Sequence, residues 1–347
     1  MATVPSWMVS FHDRYGRRAN WVIWSVLMLV ALAFYVDKAA ADRSAFVRWR
    51  HQVLQLWQGE NIYNEMMFPN PPIMPITLYP LMILPPVVGA ALWFAIKVVM
   101  CAVSIVLCFR MAVPEGRSME PWAEGLILLF SLRPILSDLH HGNINLMILF
   151  LIVTTLYAWR NGYDVLAGLL LSLAISDKVT PALFIPYFMY KGSWRTVVAT
   201  FLGLGIFLLV VPSLVLGVQF NAECLAMWWH RILSPFLVHG VKSEQEVNQS
   251  MVGVLTRLLT QGEISTGRYG LHRRVNLVAW DPHVVDRLIK GLSVGLVGLL
   301  AFLCRTRTKH RDDPRMLGEF ALVVLTMLFV SERSWKHHFV TLLFPYA

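Results

Sequence analysis

Charge is what this chain has least of. Only 15% of its 347 residues are Asp, Glu, Lys or Arg, against about 25% in an ordinary soluble domain. Water is therefore not its main solvent. Cysteine is also scarce: Cys101, Cys108, Cys224 and Cys304 form no C-x-x-C pair, which gives neither a zinc site nor a disulfide framework. No basic-aromatic motif for RNA or DNA is present, so nucleic acid is not the expected partner of the +9 charge. Internal repeats and low-complexity tracts are missing too, which leaves no trace of a solenoid or of an inverted-repeat transporter.

Apolar residues fill the space, making up 56% of the chain. Their runs predict membrane segments near 20–36, 85–107, 122–134, 144–159, 165–175, 181–190, 197–216, 288–304, 317–331 and 339–346. Several are shorter than the roughly 20 residues a spanning helix needs. The expected fold is all-α: one polytopic helical membrane domain over 1–347, with about ten membrane segments. Arg14, Arg17 and Arg18 precede the first run with no clear cleavage site after it, so that run reads as a retained span. The chain stops at Ala347 within an apolar run, so a further C-terminal portion is expected.

Basic residues sort by side. With Arg14, Arg17 and Arg18 cytoplasmic, alternation puts Arg110, Arg117, Arg160, Lys191, Arg195, Arg305, Arg307, Lys309, Arg311 and Arg315 on the same side. The other side receives a first loop, 37–84, and a long loop, 218–287. The first loop holds an interfacial helix over 44–58 and an apolar stretch, 73–84, too short to span. The long loop has enough apolar residues for interfacial helices, and its basic, glycine-containing part, Arg268–Arg274, reads as mobile.

Four polar clusters also fall on that second side. Asp42 and Arg43 follow the first span; Asp42 is a candidate general base, or half of an interfacial charge pair. Asp138, His140, His141, Gly142, Asn143 and Asn145 make a dense patch, in which the two asparagines are alternatively helix caps. Adjacent histidines diverge on a helix and no third ligand has zincin-like spacing, so a metal is disfavoured. Lys178 suits a phosphate in a dry groove, with snorkelling to the interface or neutralisation by Asp177 as simpler readings. Ser334-Trp335-Lys336-His337-His338 supplies imidazoles able to bond a phosphate or move a proton.

These residues resemble glycosyltransferase family 87, integral-membrane sugar transferases of the GT-C superfamily. The likeness runs through Gly59-x-x-x-Tyr63, Phe68, Pro71-Pro72 and Leu78-x-x-Leu81; Gly142-Asn143-Ile144-Asn145, which is similar to a Gly-Gln-x-Asn pattern; Ala167-Gly168 with Lys178-x-x-Pro181; Asn248-Gln249-Ser250 with Arg257; and Ser334-Trp335-x-His337-His338. Ala45 stands before Phe46 where the family commonly has Asp; Asp42 is the nearest substitute, with Asp37 and Glu65 in reserve.

The resemblance implies inverting hexosyl transfer, with mannose the first expectation. The donor would be a polyprenyl-phosphate sugar and the acceptor a lipid-linked or cell-envelope glycan. Asp42 would be the base and His337 a catalytic partner. Lys178, Arg257, His338 and Arg43 would serve the donor phosphate, Arg43 by orienting Asp42. His140, His141, Asn143, Asn145 and Tyr63 would hold sugar or acceptor. No cofactor is implied. The implied setting is the bacterial inner membrane with its lipids, N-terminus cytoplasmic and site non-cytoplasmic. The rival classes are a transporter or flippase and a non-catalytic scaffold.

Overall fold

The computed structural model describes residues 6–64, 68–114, 116–237, 247–261, 264–266, 271–273, 275–306 and 310–347. Glu65, Arg268, Arg274, Arg307 and Lys309 lie outside the described residues.

Helices dominate. The first half of the chain forms α1 (Ser6–Ala40), α2 (Ala45–Trp57), α3 (Ile73–Met82), α4 (Pro86–Ala112), α5 (Pro121–His141), α6 (Asn145–Arg160) and α7 (Asp164–Asp177). A 3-10 turn at Thr180–Leu183 leads into α8 (Phe184–Tyr190); α9 (Trp194–Gly205) runs through a π turn into α10 (Val211–Leu216). The long loop contains α11 (Val218–Trp228), α12 (Ser234–Leu237) and α13 (Met251–Leu259). The chain then forms α14 (Pro282–Leu303), α15 (Arg315–Val330), a 3-10 helix at Lys336–Leu342 and α16 (Leu343–Tyr346).

The fold is helical apart from one short ladder among the described residues: Ile264–Thr266 pairs antiparallel with Leu271–Arg273 inside the long loop. The run at 339–346 is no continuous α-helix: its first half is 3-10 and its second half α-helical.

Three helical stretches among the described residues are long and apolar enough to cross a bilayer: Tyr15–Ala40, Pro86–Ala112 and Trp194–Leu216. The remaining long helices are shorter or carry charges. Exposed apolar side chains such as Leu29, Phe34, Leu129, Phe201, Leu202 and Val294 cover the outside. At the centre is α6, buried nearly all round, with Leu146, Met147, Ile148, Leu149, Leu151 and Ile152 all inside. A helix apolar on every side belongs in a core or a membrane. Gly168 lets α9 approach α7 closely, because a Cβ there would lie 2.6 Å from the Thr196 carbonyl oxygen. The π turn at Ile206–Val210 disturbs the normal helical ladder, and Asn221 of α11 donates to the Leu208 carbonyl at 3.1 Å.

The helix ends form two opposite faces. At one, Arg17 pairs with Glu124, Lys191 with Glu319 and Arg311 with Asp164, and Arg160 donates to the Met111 carbonyl. These residues come from the starts of α1, α5, α7 and α15 and the ends of α4, α6 and α8, so Arg17, Arg160, Lys191 and Arg311 all sit at helix ends. The opposite face carries α2, the N-terminus of α6, the end of α7 and the Lys336–Leu342 turn.

Candidate functional site

Two sharp corners build that second face. The first joins α1 to α2, where Asp42 takes a left-handed backbone, φ 54°, which the short polar Asp side chain tolerates better than most. Ser44 then caps α2, its hydroxyl accepting from the Val47 amide at 3.2 Å. Asp42 and Arg43 are exposed at this corner, whereas Ala45 is buried. The second corner joins α5 to α6 at Gly142, φ 74°. A Cβ there would sit 2.7 Å from the Tyr35 hydroxyl and 3.3 Å from the Phe46 amide. Glycine is thus required twice over, and the two corners touch. Lys38 adds a hydrogen bond to the His140 carbonyl at 3.0 Å.

The turn at Gly142 brings the end of α5 against the start of α6. Asp138 is fully buried, and its carboxylate accepts from the Asn145 amide (3.3 Å), the Asn145 side chain (3.0 Å) and the Leu146 amide (3.3 Å). The N-terminal cap of α6 is therefore this carboxylate from the preceding helix, rather than Asn143 or Asn145. A negative charge there also suits the positive end of the helix dipole. Lys97, buried in the α4 span, lies 3.3 Å from Asp138 Oδ2 and donates to the Asp138 carbonyl at 2.9 Å.

Held in this way, Asn145 turns its Oδ1 to Lys178, which donates to it at 2.6 Å. Burial lowers the Lys178 pKa to about 8. Asp177 does not neutralise it. Among the described residues neither Asp177 carboxylate oxygen has a hydrogen-bond partner, and burial raises that carboxyl to about 8. At pH 7 Lys178 keeps its charge and Asp177 is mostly neutral. The first loop supports the same place: Tyr63, buried, donates its hydroxyl to the Asn70 carbonyl at 2.9 Å, and Asn70 donates to the Asp177 carbonyl at 2.5 Å.

The third contributor is the turn after α15. Asn248 fixes it, accepting from the Ser334 amide at 3.0 Å and donating to the Glu332 carbonyl at 2.9 Å. Ser250 also donates to Glu332, at 3.0 Å. The Asn248-Gln249-Ser250 segment and the Ser334-Trp335-x-His337 segment, far apart in sequence, thus form one clamp. It presents His337, whose ring stacks on His141 at 4.7 Å between centroids and whose Nε2 lies 3.1 Å from Asn143 Nδ2. Burial, then His141, Lys178 and Lys97, push His337 down to about 3. Burial and the nearby Lys38, Arg48, His140 and Lys97 push His141 to about 4. Both rings are neutral at pH 7. His338 is lowered as well, first by burial.

A narrow cleft opens between these parts, lined by Asn145, Lys178, Thr180, Ser331, Ser334 and His338 among others. The structure therefore brings together His141, Asn143, Asn145, Lys178, His337 and His338. His338 and Lys178 share the cleft, with His337 behind them against His141. His140 is exposed, and the nearby charge of Arg43 lowers its pKa, after burial and Lys38. This places the Asp42 corner beside the His140–His141 end of α5. Arg257 sits on α13, half-buried and with partners of its own. Tyr63 holds the loop from within. Lys97 and Asn70 were missed by sequence reasoning; a lone lysine in the apolar run 85–107 was the available signal. Among the described residues no three His, Cys, Asp or Glu converge as metal ligands.

A helical domain with an apolar exterior, carrying amides, neutral imidazoles and the Lys178 ammonium at a single face, defines the class: an integral-membrane protein with a polar site at the membrane boundary. The chain belongs to glycosyltransferase family 87, whose model matches residues 68–331. It is similar to a polyprenol-phosphate-mannose-dependent alpha-(1-2)-phosphatidylinositol mannoside mannosyltransferase of Mycolicibacterium smegmatis, with 26% identity over 214 residues. That alignment covers 61% of this chain and 42% of the relative's length. No solved structure matches the chain.

Proposed function

We propose that this chain is a membrane glycosyltransferase that moves a hexose from a polyprenyl-phosphate donor to a lipid-linked or cell-envelope glycan. The observation that carries the reading is the pairing of Lys178 with Asn145 in a cleft shared with His338, in a chain of this family. Membership of a transferase family also favours an enzyme over a transporter or a scaffold. The Mycolicibacterium relative, named as polyprenol-phosphate-mannose-dependent, makes mannose the first sugar to test.

In this reading the donor phosphate sits against Lys178 and His338. As the glycosidic bond breaks, charge grows on the departing phosphate, and fixed donors in a dry cleft stabilise it better than water does. Asp42 takes the acceptor's proton, and attack from the far side of the anomeric carbon inverts its configuration. Arg43 orients Asp42. His140, His141, Asn143, Asn145 and Tyr63 hold or position the sugar and the acceptor, and His337 and Arg257 complete the phosphate side. No cofactor enters the step. About ten membrane segments, a cytoplasmic basic face and a site on the opposite side of a bacterial inner membrane complete the proposal.

The test is transfer itself. Membranes containing the protein are given labelled polyprenyl-phosphate sugars, and label is followed into lipid and glycan products. Transfer that stops with Asp42→Asn while the protein stays folded in the membrane supports the reading. Unchanged transfer in that variant removes Asp42 as the base, and no transfer from any labelled donor removes the function.

A further inference from the structure

A second cavity lies at the opposite, basic face, outside the site described above. Its walls come from the start of α1, the end of α4, the start of α5 and the end of α6. Its volume is about 740 Å³. Four arginines line it, Arg17, Arg110, Arg117 and Arg160, against a single carboxylate, Glu124.

That carboxylate is engaged by Arg17 at 2.9 Å. Arg17 also reaches the Met119 carbonyl at 3.0 Å, and Arg160 the Met111 carbonyl at 2.6 Å. The side chains of Arg110 and Arg117 make no hydrogen bond or ion pair with any described residue, and both are exposed. Among the described residues, the cavity therefore holds more positive charge than it neutralises. The rest of its wall is apolar and aromatic, with Trp21, Val106 and Phe109. Trp21 and Val106 lie within two of the helices that are long and apolar enough to cross a membrane.

We propose that this cavity binds the phosphodiester headgroup of an anionic phospholipid. Arg110 and Arg117 would hold the phosphate, as guanidinium groups do through paired N–H donors. Trp21, Val106 and Phe109 would receive the upper part of the lipid chains. Basic pockets between membrane helices are suited to this task. A soluble phosphate shares the charge but has no use for the apolar wall. The occupant would brace α1, α4, α5 and α6 at the ends opposite the cleft.

The experiment uses the full chain in neutral detergent, with native mass spectrometry reading the lipids retained. Phosphatidylglycerol, phosphatidylcholine and inorganic phosphate are the probes. Phosphatidylglycerol should be retained well above phosphatidylcholine. Arg110→Gln and Arg117→Gln should each weaken it by roughly fivefold, with thermal unfolding of the lipid-free protein unchanged. Equal retention of the two lipids overturns the proposal, as does full retention by the double variant. Displacement of phosphatidylglycerol by millimolar inorganic phosphate would identify a free-anion site and overturn it as well.

Discussion

His141 and His337 come from opposite halves of the chain and stack ring on ring, 4.7 Å between centroids. Neither carries a charge at neutral pH, because burial and surrounding cations disfavour imidazolium. The pair is therefore a neutral wall beside Lys178, whose ammonium is left as the cation of the cleft floor.

Acid should damage this wall. The folded pKa of His337 is depressed to about 3, so between pH 6.5 and 3 the unfolded chain binds the extra proton. Stability is then full above pH 6.5 and falls as pH drops towards 3. The loss at pH 5 is on the order of 2 kcal/mol from His337, which is only 3% exposed. Thermal unfolding in detergent between pH 7 and 4 checks this. His337→Gln should flatten the slope, and an equally steep slope in that variant contradicts the account.

The same residue has a test in catalysis. His337→Ala should lower sugar transfer by roughly 10²–10³, the usual effect of losing one preorganised donor. Transfer of labelled sugar in membranes measures it, with folding checked by size-exclusion chromatography. An unaltered rate would falsify the assignment of His337 to the donor phosphate.

Lys178 predicts an alkaline limb. Its pKa near 8 means the ammonium is lost above that pH, and with it the cation meant for the phosphate. Transfer should decline above pH 8, and Lys178→Arg should carry the limb to higher pH while retaining part of the activity. A limb that stays in place in the arginine variant must belong to another group.

Much of this was legible in the sequence. Apolar runs announced the helices, and Arg17, Arg160, Lys191 and Arg311 announced one face, because burial and charge leave linear traces. The apolar spacing over 44–58 foretold α2. The wiring beneath the site left weaker traces. Asp138 looked like one member of a polar patch, and only the Gly142 corner reveals it as the cap of α6. Lys97 sat inside an apolar run, where nothing local named its partner. The Asn248–Ser334 clamp joins segments whose proximity no local pattern encodes. The two short strands escaped notice because three-residue ladders have too little periodicity to detect.

The Lys97–Asp138 pair makes a stability prediction. Both side chains are fully buried, with Nζ 3.3 Å from Oδ2, and Asp138 also serves three N–H donors of α6. Lys97→Met leaves an uncompensated carboxylate in the interior and should cost about 3–5 kcal/mol. Lys97→Met with Asp138→Asn removes both charges while keeping an acceptor for α6, so it should recover most of that loss. Thermal unfolding of the two variants decides, and a double variant no more stable than the single one would contradict the pairing.

The assignment of faces can be read without any substrate. The four native cysteines are buried, so they should stay silent to a membrane-impermeant maleimide in intact cells. Gln58 and Arg195 are exposed, at the end of α2 and the start of α9. These positions belong to opposite faces: α2 follows the Asp42 corner, and α9 follows the Lys191 end of α8. Gln58→Cys should react from outside the cell, and Arg195→Cys only after the membrane is opened. The reverse labelling would put the cleft in the cytoplasm and turn the proposed acceptor into a cytoplasmic one. Labelling of both from the same side would break the two-faced architecture on which the site rests.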